Sequence, residues 1–283
     1  MSNTDEFLSI LESGKNHDGA DFSGYKLKGI SLNEENFAHA SFEDADLELS
    51  ELIAIDFSNA KLNNVSFQKA KLKDVNLAGA QLKGVNFQDA ILINCNFKNA
   101  SMENANLNSA SLKHCAFNGS NLNHVNLHSA RLSHCDLSFV KMMYSYLRQV
   151  EISNSRMTGI NIRGADLSFC KFVDVDLRGA ILKYTDLNSC TLKQVDLTNA
   201  NLLGAEMKDA HCAEITVKEA NLEGVDLTYA NLEGSNLQNA FLLEANLHGT
   251  NLSNANLKDA YFVDANITKV ITEGANLENT ILQ

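Results

Sequence analysis

An all-β solenoid of five-residue repeats is the fold class this sequence predicts, on three observations. Apolar residues recur at a strict interval of five, turn-forming residues follow two places after them, and proline is absent from all 283 residues. Stepping by five from Phe22 to Leu282 visits 53 positions, of which only Thr272 is not apolar. An α-helix repeats every ~3.6 residues and a simple strand every ~2, so a strict five fits neither and the chain must turn at regular intervals.

Each part of the repeat has its own reason. Two residues before every apolar position stands Ala, Val, Cys, Ser, Thr or Ile, with Tyr25 and Glu35 the exceptions. Inward side chains two apart describe a short strand-like segment, whose alternate residues face one way, followed by a corner. Two places after the apolar residue come Gly24, Gly29, Asn59, Gly84, Asn94, Gly159, Gly204, Gly224 and Gly249, residue types that tolerate the positive φ of a tight turn. Proline has no place where nearly every backbone N–H is wanted by a neighbouring coil.

Residues 1–19 lie outside this register. Thr4, Asp5 and Glu6 ahead of Phe7, Leu8, Ile10 and Leu11, with Gly14 after, predict a short capped helix covering the first coil. The division expected is a capping helix and loop over 1–19 and the repeat over 20–283. The start MSNTDEFLSI has no basic leader, and no run of eighteen apolar residues occurs, which predicts a soluble cytoplasmic protein. Six cysteines without a signal peptide predict reduced thiols. The net charge is −12 but zoned: residues 1–60 hold 13 acids and 3 bases, 61–200 hold 10 and 16, and 201–283 hold 12 and 4.

Segments such as Ala220-Asn221-Leu222-Glu223-Gly224 and Ala255-Asn256-Leu257-Lys258-Asp259 match the pattern A(D/N)LXX. On these the chain resembles the pentapeptide repeat proteins, over residues 20–282. The resemblance implies that four repeats make one square coil of twenty residues, stacked as a right-handed quadrilateral parallel β-helix. The 53 repeats then give about 13 coils, a rod roughly 60 Å long. Cys95, Cys115 and Cys135 stand twenty apart, as do Cys170 and Cys190, and are expected to stack.

No enzyme is expected. His114-Cys115 and His134-Cys135 form the sharpest metal-ligand pattern, but the repeat sends Cys inward and His outward, so the four do not converge. Cys212 takes a Leu position as an apolar filler. No P-loop, GxSxG or HExxH motif occurs, and neither cofactor, metal nor small-molecule substrate is expected.

Two groups suit partners instead. Lys141, Tyr144, Tyr146, Arg148, Arg156 and Arg163 combine cations with aromatic rings, a mixture that suits nucleic acid or an acidic protein surface. On the twenty-residue coil, Leu203, Phe241, Leu243, Tyr261, Val263 and Ile281 take outward positions of one face, and with Leu282 they predict a homodimer joined through the C-terminal coils. The function expected is a non-catalytic scaffold presenting a rigid surface to a protein partner. The alternative that the resemblance implies is binding to DNA gyrase or topoisomerase IV by mimicry of duplex DNA, as in quinolone resistance. Acidic rungs at Asp166, Asp186, Glu206 and Asp226, and at Asp176 and Asp196, support it; the net basic centre and the absence of interrupting loops depart from it.

Overall fold

The computed structural model describes residues 3–12 and 17–281, which divide into two compact units, Met1–Lys141 and Met142–Gln283. In the first, helix α1 (Asn3–Glu12) precedes coils that carry strands β1 (Ser31–Asn33), β2 (Glu51–Ile53), β3 (Lys71–Lys73), β4 (Ile91–Ile93), β5 (Ser111–Lys113) and β6 (Arg131–Ser133). Consecutive strands pair in parallel with a step of twenty, Ser31 opposite Glu51 and Glu51 opposite Lys71. Single parallel bridges with the same step join Asp21 to Ser41, Lys26 to Asp46 and Asn36 to Asp56. The coil therefore has four sides, whose bridges run from Asp21, Lys26, Ser31 and Asn36; they are called first to fourth below.

One repeat shows why the pattern is obligatory. Ser41 donates its N–H to Ala20 at 2.8 Å, Phe42 donates to Lys61 at 2.8 Å, Asp44 donates to Asn63 at 3.0 Å, and Ala45 closes the turn onto Phe42 at 2.9 Å. The remaining N–H, one place after the apolar residue, is met by the side chain two places earlier: Asp56 Oδ1 accepts from Ser58 at 2.8 Å, and Asn86 Oδ1 from Gln88 at 3.0 Å. A backbone donor without a partner beside a packed core costs about 1–3 kcal/mol, so the Asp or Asn of A(D/N)LXX completes the main-chain accounting. Many of these amides also bond upward, Asn96 Nδ2 to Asn76 Oδ1 at 3.0 Å and Asn106 to Asn86 at 3.1 Å.

The corner residue has φ between 48° and 73° at every fifth position from Gly19 to Asn279. Gly, Asn and Asp fill many of these sites, but Leu49, Phe139, Tyr144, Phe169, Tyr184 and Tyr229 stand there too. A bulky side chain in the left-handed region costs on the order of 1 kcal/mol, and the bonds to the adjacent coil hold it there.

The core of the first unit stacks like on like. Phe97 and Phe117 lie parallel with ring centres 4.7 Å apart, and Phe67 and Phe87 at 5.0 Å. Phe7 is fully buried among Phe22, Tyr25, Phe37 and Phe42, 4.9 Å from the Phe22 ring centre. Tyr25 thus breaks the small-residue rule in order to receive α1. Glu35, the other exception, lies 3.9 Å from Nε2 of buried His17. The expected capping role of Thr4 is corrected: α1 begins at Asn3, and the Thr4 hydroxyl donates to the Lys26 carbonyl at 2.8 Å. Leu8, expected on the apolar face, is exposed, and Gly14 lies outside the described residues.

The second unit keeps the same step, with β7 (Glu151–Arg156), β8 (Lys171–Asp176) and β9 (Thr191–Asp196) on its third side. There β-pairing continues across the corner, Ile152 opposite Phe172 and Val175 opposite Val195. Beyond β9 every side carries single bridges, as from Thr191 to His211. No helix among the described residues is long and apolar enough to cross a membrane.

Candidate interaction face

The first side of the second unit gathers the residues best suited to contact. Its bridge column runs Asn161, Ile181, Asn201, Asn221, Phe241, Tyr261 and Ile281. The twenty-residue step places Met143, Arg163, Lys183, Leu203, Glu223, Leu243 and Val263 in the adjacent column, and Tyr144, Gly164, Tyr184, Gly204, Gly224, Glu244 and Asp264 at the corner. Main-chain bonds lock these columns in register: Tyr144 N–H to the Arg163 carbonyl at 2.9 Å, Tyr184 to Leu203 at 2.9 Å, and Gly224 to Leu243 at 2.8 Å.

Local packing fixes the rings. A Cβ built on Gly164 would sit 2.7 Å from the Tyr144 ring, and one on Gly204 would sit 2.8 Å from the Tyr184 ring, so the Cδ1–Cε1 edge of each tyrosine packs against the glycine one coil on. The Arg163 guanidinium stands 5.6 Å from the Tyr184 ring centre, within cation–π range. Phe241 and Tyr261 stack at 5.3 Å with planes 11° apart. Tyr184 keeps 54% of its surface exposed and Phe241 keeps 44%.

This side unites parts of both predicted groups. Tyr144 and Arg163 share it with Leu203, Phe241, Leu243, Tyr261, Val263 and Ile281, while Leu282 lies outside the described residues. The other predicted cations and rings disperse. Tyr146 and Arg148 belong to the second side, where the Arg148 guanidinium covers the Phe169 ring at 4.9 Å. Arg156 is on the fourth side, opposite Asp176 in the β7–β8 register. Lys141 also stands on a first side, but that of the first unit, bridged to Asn121. Neighbours in sequence part company because five residues along the chain turn one corner. Ile181, Lys183 and Tyr184 belong to the face but were not singled out from the sequence; their signal is the offset of twenty from Asn161, Arg163 and Gly164.

The acidic rungs are present but occupied. Asp166, Asp186, Glu206 and Asp226 form one bridged column on the second side. Asp166 accepts from the Ser168 N–H and hydroxyl at 2.9 and 2.6 Å, Asp186 from the Asn188 N–H at 2.9 Å, and Glu206 from the Asn188 amide at 2.9 Å. Asp226 lies 3.4 Å from the Lys208 ammonium. On the fourth side Asp176 is gripped by Arg178 through both oxygens, at 2.9 and 2.7 Å, and this holds its carboxyl down at about 2. Asp226 and Asp176 are thus paired with a cation, whereas Asp166, Asp186 and Glu206 bond to uncharged donors and keep their charge.

The thiols are buried. Cys115 donates to the Leu92 carbonyl at 3.6 Å and Cys135 to Leu112 at 3.7 Å, while His114 and His134 face outward with ring centres 4.9 Å apart. The Cys135 thiol pulls the Cys115 pKa down, but hydrogen bonding with Cys95 and burial outweigh it and push Cys115 up to about 12. No group of metal-ligating side chains comes together among the described residues.

A family profile described as the pentapeptide repeat region matches residues 20–93 and 110–182. A second, described as pentapeptide repeats in eight copies, matches 80–119, 179–211, 205–242, 218–254 and 245–283. No curated protein matches the chain. Among solved structures, a trypsin-treated variant of QnrB1, a plasmid-mediated fluoroquinolone resistance protein, is 24% identical over 65% of this chain and 89% of that one, with a TM-score of 0.48. HetL, a pentapeptide repeat protein involved in heterocyst differentiation regulation in the cyanobacterium Nostoc sp. strain PCC 7120, is 24% identical over 96% and 97%, with a TM-score of 0.25. Rfr23 from the cyanobacterium Cyanothece 51142 is 34% identical over 36% and 66%, with a TM-score of 0.24.

Proposed function

We propose that this chain, which belongs to the pentapeptide repeat family, is a non-catalytic interaction scaffold that binds protein through the first side of its second unit. The observation that carries the reading is the joining of Tyr144, Arg163 and Tyr184 with Leu203, Phe241, Leu243, Tyr261 and Val263 on one side of the coil. Solvent-facing apolar residues gathered into one patch mark an interface, and rings with arginine are the side chains that anchor one. The backbone under them is fixed by two sets of inter-coil bonds, so little ordering entropy is lost on contact. Six buried thiols suit a reducing compartment such as the cytoplasm. The topoisomerase reading has less support, because two of the acids that would imitate phosphates, Asp226 and Asp176, are paired with Lys208 and Arg178.

Capture from native extract tests this. The intact chain is compared with a first-side variant, Tyr184→Ala with Leu243→Asp, and a third-side control, Lys193→Ala. Proteins retained by the wild type and the control should fall at least about tenfold with the first-side variant, the equivalent of roughly 1.4 kcal/mol. Identical retention by all three would refute the assignment of this face.

A further inference from the structure

The charges on the first side are not distributed evenly along it. Arg163 and Lys183 occupy the rungs near Met143, whereas Glu223, Glu244 and Asp264 occupy later ones, and apolar residues lie along both halves. We propose that the occupant of this face is a second copy of the same chain, laid against it face to face and antiparallel. The twofold axis would run across the face between the Leu203 and Glu223 rungs. This rests on the interaction reading above but names the partner, and it concerns the side of the unit, not its end.

Symmetry makes the arrangement specific. A twofold axis across the face preserves the columns and reverses the order of the rungs. Ile181 then meets Phe241 of the second copy, and the Lys183 stem crosses Leu243 with its ammonium beside Glu244. Arg163 crosses Val263 with its guanidinium beside Asp264. Next to the axis, Gly224, which has open space where a side chain would stand, faces Gly204 and the Tyr184 ring edge packed on it. Each contact occurs twice, so four charge pairs flank two apolar contacts, and Leu203 faces Glu223 on either side of the axis. The parallel alternative, with the axis along the coils, sets each rung against its own copy: Arg163 near Arg163 and Glu223 near Glu223. Like charges in juxtaposition cost several kcal/mol, and the antiparallel arrangement is thereby selected.

The size of the contact sets its strength. Six steps of ~4.8 Å from Met143 to Val263 give a strip roughly 29 Å long, and three strand residues at ~3.3 Å make it roughly 10 Å wide. Over both copies that is on the order of 600 Å², below the ~1,200 Å² of stable interfaces, so a weak, rapidly reversible dimer is expected.

Sedimentation of the full chain over a concentration series reads this directly. The wild type should approach twice its 31.0 kDa. Arg163→Glu with Lys183→Glu, and separately Glu244→Lys with Asp264→Lys, should each raise the dissociation constant at least about tenfold. An equimolar mixture of the two variants should recover the dimer, since an acid on one copy then faces a cation on the other at all four charge pairs. Geometry is read by a bifunctional maleimide: Ile181→Cys with Phe241→Cys should cross-link between copies, whereas Ile181→Cys alone should not. The six native thiols are buried and do not compete. A wild type that stays monomeric at every concentration overturns the proposal, as does failure of the mixture to pair or efficient cross-linking through Ile181→Cys alone. If the chain is monomeric while first-side variants still lose a captured protein, the second-copy proposal fails and the interaction reading stands; if those variants lose nothing, the interaction reading fails independently.

Discussion

Gly204 offers the sharpest check on how the face is held. Its φ is +62°, and a Cβ added there would lie 2.8 Å from Cδ1 and Cε1 of the Tyr184 ring. Gly224, at the same corner one coil on, has φ +62° with nothing within 4 Å. Alanine at either position incurs the left-handed penalty of about 1 kcal/mol, partly offset by the lower entropy of the unfolded chain. Gly204→Ala must in addition swing Tyr184 off its seat, because comfortable carbon contacts begin near ~3.5 Å. The ring then loses its cover of the glycine and the Arg163 guanidinium at 5.6 Å, an interaction worth about 0.5–1 kcal/mol at an exposed site. Gly204→Ala should therefore be about 1 kcal/mol more destabilising than Gly224→Ala, measured as the difference in thermal unfolding of the two variants. Combined with Tyr184→Asn, the excess should vanish, giving a coupling energy of the same size in a double-mutant cycle. Equal losses for the two alanines, or an excess that survives Tyr184→Asn, would show that the ring does not pack on Gly204.

Two further outcomes follow from the titrating groups. The Arg178 bond holds the Asp176 carboxyl at about 2 against an ordinary 3.8, so the stability it contributes is fully present above about pH 4 and is lost as pH falls towards 2; Arg178→Met should return the carboxyl carbon titration to the ordinary range, and an unchanged midpoint would refute the pairing. All six thiols are buried, and burial with hydrogen bonding to Cys95 pushes Cys115 up to about 12, so Ellman's reagent should leave the native chain unmodified at about pH 8 and label six thiols only in denaturant. Rapid labelling of the folded chain would contradict the buried ladder.

The amino-acid sequence by itself determined the repeat, its inward and outward positions and the corner. Burial is a property of each side chain, and positive φ a tolerance of each residue type. Leu and Phe at every fifth place, small residues two before and Gly, Asn or Asp two after are local signals, and 53 copies of them leave no other period. The helix ahead of the first coil was legible in Phe7 for the same reason, although the partner of Thr4 was not. Only the tertiary structure decided what the recurrent Asp and Asn are for, since their acceptor atoms serve an N–H that sequence does not mark as unpaired. It also decided which residues share a side. Tyr144 shares a side with Arg163 and Tyr184, nineteen and forty residues away, and not with Arg156, twelve away, because neighbours on a side are set by the closure of a twenty-residue coil and not by distance along the chain.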